Sequence, residues 1–104
     1  MNYQKVTAII RCDVLEKVEQ KLCEIGIGGI SVTKVKGYGE YANFYAKDWM
    51  GDCARIDIFT PESKTDKIVQ AILDTAHLGM EGDGIVAVSP VEQFYRIRTR
   101  EKMG

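Results

Sequence analysis

The chain has 104 residues, 45% of them hydrophobic and 28% charged, with a formal net charge of −1; these are the proportions of one soluble globular domain with a modest core. The near-neutral charge argues against a basic face for nucleic acid or an anionic membrane, and no apolar run approaches the ~20 residues that span a bilayer. Cys12, Cys23 and Cys53 are odd in number and widely spaced, which fits neither a disulfide framework nor a zinc site; with no basic-then-apolar leader, reduced thiols in the cytoplasm are the simplest expectation.

Lys5 to Arg11 alternates, with Val6, Ala8 and Ile10 on one side and Thr7, Ile9 and Arg11 on the other, and reads as a strand. Asp13 with Glu16 offers a capping box. Leu15, Val18, Leu22 and Ile25 then form one apolar helical stripe, with Cys12 and Cys23 as small packing residues and Gly26 in the C′ position. Gly28-Gly29 turns the chain into a second strand, Ile30 to Lys36, with Ile30 and Val32 facing the core. The run from Tyr38 to Asp52 has no period. A third strand carries Ala54, Ile56 and Ile58 and ends at Thr60-Pro61. Ser63 with Asp66 opens a second helix, whose buried side is Ile68, Val69, Ile72, Leu73 and Ala76.

Leu78 to Gly84 is glycine-rich and irregular, Ile85 to Ser89 is a fourth strand, and Phe94 to Arg98 is a fifth extended piece. The order β-α-β, loop, β-α-β predicts an α+β, ferredoxin-like βαββαβ sandwich: an antiparallel sheet with two helices on one face. The other face carries Thr7, Ile9, Arg11, Ser31, Thr33, Val35, Arg55, Asp57 and Phe59. That mixture is too apolar for a face left to water and suggests contact with other subunits.

His77, the only histidine, falls near a helix C-terminus and suits a capping or surface role. No nucleophile has an evident base and no metal-ligand cluster stands out, so neither catalytic nor metal residues are assigned. Three features fit anion binding. Gly37-Tyr38-Gly39 and Gly82-Asp83-Gly84 are glycine turns whose N–H groups can cradle phosphate. Arg96-Ile97-Arg98, if extended, puts two guanidinium groups on one side. Each alone has a plainer reading (a turn, a turn, a solvated strand edge); together they tilt toward a phosphorylated ligand.

Several stretches resemble the nitrogen regulatory P-II superfamily of signalling proteins. Lys5-Val6-Thr7-Ala8-Ile9-Ile10-Arg11 is similar to its first strand. Gly29-Ile30-Ser31-Val32-Thr33-Lys34-Val35-Lys36-Gly37-Tyr38-Gly39 resembles its G-M-T-V-T-E-V-K-G-F-G. Gly79-Met80-Glu81-Gly82-Asp83-Gly84 resembles G-K-I-G-D-G, and Arg96-Ile97-Arg98-Thr99 matches R-I-R-T. The resemblance implies a single domain over residues 1–104, with a short T-loop at 37–53, a B-loop at 78–84 and a C-terminal segment at 94–104. It implies a homotrimer with an adenine nucleotide (ADP, AMP or ATP) between subunits as regulatory ligand, and no other cofactor. Ile9, Gly29, Ser31, Gly37, Tyr38, Gly39, Gly82, Asp83, Gly84, Arg96 and Arg98 fall on nucleotide-contacting positions, with Asp57 and Phe59 at the adenine end. A target protein, such as a transporter or a metabolic enzyme, would be met through a loop carrying Glu40, Tyr41, Phe44, Tyr45 and Trp49.

The departures are specific. Ile85 stands where the family has lysine, Glu40 and Tyr41 where it has arginine and glutamine, and Leu78 where it has threonine. The loop is shorter, and it lacks the family's lysine for 2-oxoglutarate and the motif of the uridylylated tyrosine. Lost cations weaken a triphosphate more than a di- or monophosphate, so ADP or AMP should bind at least as well as ATP. Bicarbonate, by analogy with short-loop relatives, is one expected second effector and 2-oxoglutarate the alternative. Two other classes stay open from the sequence: an acylphosphatase-like enzyme, for which Asn43 is the interior candidate, and a structural trimer like copper-tolerance proteins.

Overall fold

The computed structural model describes residues 2–37 and 51–104. Strand β1 (Tyr3–Arg11) leads through a 3₁₀ turn (Cys12–Val14) into helix α1 (Leu15–Glu24). Strands β2 (Ser31–Gly37) and β3 (Gly51–Pro61) follow, then helix α2 (Glu62–Ala76), strand β4 (Gly84–Val91) and the short strands β5 (Tyr95–Arg96) and β6 (Glu101–Lys102). The main sheet has the order β2-β3-β1-β4, and its pairings are antiparallel. Inserting β3 between β2 and β1 splits the first β-α-β unit, the ferredoxin-like arrangement expected from the sequence. β5 and β6 form a separate hairpin.

The core lies between one sheet face and the two helices. Val6, Ala8 and Ile10 of β1 and Ala54, Ile56 and Ile58 of β3 meet Val18 and Leu22 of α1 and Ile68, Ile72 and Ala76 of α2. Period-2 and period-3.6 stripes thus meet face to face. α1 closes in a Schellman motif: Ile27 N–H donates to the Leu22 carbonyl at 2.9 Å and Gly26 N–H to that of Cys23 at 3.0 Å. Gly26 takes φ +90° to allow it.

Local expectations fail at five places. Asp13 is not an N-cap: it lies in the 3₁₀ turn, α1 starts at Leu15, and the cap residue Val14 has no capping hydroxyl or carboxylate. α2 likewise starts at Glu62 directly after Pro61, so Ser63 falls inside the first turn. There the Glu62 N–H is satisfied by the Asn2 carbonyl at 2.9 Å. Leu73 is half exposed although its neighbour Ile72 is buried, because adjacent helical residues diverge by about 100°; Ala71 and Thr65 complete the buried side instead. Cys23 is exposed, and Val32 is 41% exposed because β2 is an edge strand beyond the cover of α2, which packs on β1 and β3.

Candidate functional site

The register places the outward residues in cross-strand rows. Thr33, Arg55, Ile9 and Ile85 form one row, and Ser31, Asp57, Thr7 and Ala87 the next; Phe59, Lys5 and Ser89 follow. Ile9, Ser31, Asp57 and Phe59, chosen from sequence, therefore share the face away from the helices. Asp57 is held within a polar network there. Thr7 Oγ1 donates to its Oδ1 at 2.8 Å, Arg55 Nε to its Oδ2 at 3.1 Å, and Lys5 Nζ stands 3.7 Å away. Burial alone would raise its carboxyl pKa, but the Thr7 and Arg55 hydrogen bonds and the nearby cations outweigh it and hold the value below the ordinary 3.8. Lys5 Nζ also sits 5.9 Å from the centre of the Phe59 ring.

At one end of the sheet the 78–84 loop runs into β4. Asp83 organises it. Its Oδ2 accepts the N–H groups of Leu78 and Gly79, both at 2.9 Å, and of Met80 at 3.4 Å. Its Oδ1 faces Arg11 Nε at 3.5 Å, while Arg11 Nη2 donates to the Glu81 carbonyl. His77, three-quarters exposed at the end of α2, places Nδ1 3.9 Å from the same carboxylate, the surface role expected of it. Burial works to raise the Asp83 pKa, and the three backbone N–H groups and Arg11 overcome it to lower the value. Gly79 and Gly82 take φ +78° and +89°. Gly84, at φ +108°, passes so close to Ile9 that a Cβ would overlap the Ile9 carbonyl. Only glycine fits there.

At the other end, Phe94 packs on Tyr3 (ring centres 4.3 Å apart) and Phe59 (5.7 Å), which seats the β5–β6 hairpin. The hairpin corrects one expectation. Strand geometry covers only Tyr95–Arg96, and residues 97–100 form a turn closed by Arg100 N–H to the Arg96 carbonyl at 2.8 Å. Arg96 and Arg98 are therefore not an alternating pair on a strand; both are exposed.

The expected site residues fall into two groups. Gly84 pairs with Ile10, and Gly37, paired with Gly51, lies toward that same end. Tyr3, beneath the hairpin, is seven positions from Ile10 on β1, roughly 23 Å at strand rise. So Gly37, Ile9 and Gly82-Asp83-Gly84 gather at one end, and Ser31, Asp57, Phe59 and the arginine hairpin toward the other. Gly29 lies just ahead of β2, exposed. Tyr38, Gly39, Glu40, Tyr41, Asn43, Phe44, Tyr45 and Trp49 lie outside the described residues. The expected loop 37–53 overlaps strand at both ends, since β2 includes Gly37 and β3 starts at Gly51.

Arg11 is the residue that sequence reasoning left unassigned. Alternation put it on the outer face, yet it is 4% exposed. Its cover comes from a loop some 70 positions away in sequence, which no local pattern encodes. A cavity of about 440 Å³ opens behind the loop between α2 and β4, lined by Ile10, Ile72, Ala76 and Val86. It lies on the helical side of the sheet and shares only Asp83 and Gly84 with the expected site. Among the described residues there is no group of three or more His, Cys, Asp or Glu that could hold a metal ion, and no helix is long and apolar enough to cross a membrane.

An α+β sandwich with a glycine-rich loop beside its first strand and an arginine hairpin at the opposite end defines a small protein of ferredoxin-like type. The nitrogen regulatory protein P-II family matches residues 3–101. Nitrogen regulatory protein P-II of Azospirillum brasilense is 37% identical, over 97% of this chain and 96% of that protein. Nitrogen regulatory protein P-II 1 of Escherichia coli is 36% identical, over 95% of each. The crystal structure of Arabidopsis thaliana PII bound to citrate superposes with a TM-score of 0.81 at 29% identity, covering 96% of this chain and 84% of that one. The chain belongs to the nitrogen regulatory protein P-II family, a family of regulatory signalling proteins and not of enzymes.

Proposed function

We propose that this chain is a homotrimeric, cytoplasmic P-II-type signalling protein that binds an adenine nucleotide between subunits and regulates a transporter or a metabolic enzyme through its 37–53 loop. The separation of the two groups is the observation that carries the reading. Gly82-Asp83-Gly84 and the Arg96–Arg98 hairpin stand at opposite ends of one sheet, so a ligand using both must lie between two copies. The outward face supports this: it mixes Ile9, Val35 and Phe59 with charge, as expected of a sheet that meets other subunits. Backbone donors of the 78–84 loop and the arginines serve the phosphates, and Ile9 and Phe59 serve the base. The citrate in the Arabidopsis relative is compatible with a site for a multiply charged anion on this fold.

Ile85 stands opposite Ile9 on β4, so an apolar side chain occupies the place of the phosphate-side lysine. ADP or AMP then binds at least as well as ATP. Occupancy shifts the loop toward one partner-binding conformation, with no bond made or broken. Bicarbonate is the favoured second effector, and 2-oxoglutarate the alternative. Calorimetry with ADP, AMP and ATP, each with and without bicarbonate or 2-oxoglutarate, tests the reading. ADP at least as tight as Mg²⁺–ATP supports it; no binding of any adenine nucleotide refutes it.

A further inference from the structure

Arg11 is the buried charged side chain among the described residues. It engages the 78–84 loop through the Asp83 carboxylate and the Glu81 carbonyl. The second carboxylate oxygen of Asp83 takes the N–H groups of Leu78, Gly79 and Met80, and the Asp83 N–H donates to the Met80 carbonyl at 3.2 Å. The loop's first nest of donors is thus filled by the chain's own carboxylate, and a buried guanidinium anchors that carboxylate to β1. An acid so engaged, and repelled by phosphate, is poorly placed to touch the ligand.

We propose that Arg11 and Asp83 are positioning residues that clamp the 78–84 loop in one shape, so that its other backbone donors meet the nucleotide phosphates while the Asp83 carboxylate stays off the ligand. This rests on the nucleotide reading above. Asp83→Asn is a sharp probe: whichever way the amide turns, its NH₂ faces either Arg11 or the three N–H donors. The clamp itself is read by hydrogen exchange on the protein without nucleotide. The amides of residues 78–80 should lose at least tenfold protection in Asp83→Asn and in Arg11→Met, with those of β1 residues 5–9 unchanged; unchanged protection at 78–80 overturns the proposal whether or not nucleotide binds. In calorimetry, each variant should weaken ADP at least tenfold yet leave adenosine unaffected, Arg11→Lys should recover part of the loss, and Arg11→Met/Asp83→Asn should be no weaker than the worse single variant. Additive losses would mean that the two side chains contact the ligand independently, and would overturn it. If wild-type chain binds no ADP while 78–80 behaves as stated, the clamp stands and the nucleotide reading falls.

Discussion

Gly84 is where a single added carbon matters most. Its φ of +108° and its approach to the Ile9 carbonyl mean that Gly84→Ala must push β4 from β1. Chemical denaturation should show a loss of about 3 kcal/mol or more. Gly28→Ala, with nothing within 4 Å of the new carbon, should stay within about 0.5 kcal/mol of wild type. Asp57 and Asp83 link stability to pH. Both carboxyls have folded pKa values below the ordinary 3.8, so their contribution is fully present above that value and is lost as pH falls through the lowered ones. Acid titrations should therefore show stability dropping below about pH 4, with a shallower drop in Asp57→Asn and Asp83→Asn. The Gly82-Asp83-Gly84 turn was readable from residue types alone. That Asp83 turns inward onto Leu78, Gly79, Met80 and Arg11 was not, because it depends on packing between segments distant in sequence.

At the scale of elements, the apolar stripes carried most of the information. Val18 and Leu22, and Ile68, Ile72 and Ala76, keep helical spacing and form the buried faces. The helix starts misled because Asp13 and Ser63 are good caps by type, while Val14 and Pro61 occupy those positions in the fold. Burial separates neighbours on α2: Ile72→Ala should cost about 2–5 kcal/mol in unfolding free energy, and Leu73→Ala, half exposed, well under half as much. The C-terminal piece shows the limit of alternation as evidence. Tyr95, Ile97 and the arginines alternate in sequence, but only two residues are strand before the 97–100 turn. Short polar–apolar alternation cannot distinguish a strand from a hairpin arm and its turn.

For the molecule as a whole, the proposed nucleotide site lies between two copies of the chain. Gly82-Asp83-Gly84 and the hairpin of Arg96 and Arg98 lie at opposite ends of β1. Sequence order alone hides this, since the two segments are only about a dozen positions apart; it is β4, running the length of the sheet, that carries the chain from one end to the other. Subunit mixing gives the most direct test. One parent carries Arg96→Gln/Arg98→Gln and the other Gly82→Val, which spoils the loop; the two are unfolded together, refolded and titrated with ADP. If the site is shared between chains, neither parent binds, while an equal mixture recovers roughly a quarter of the sites, where an intact loop meets intact arginines. A mixture as inactive as its parents would contradict the account.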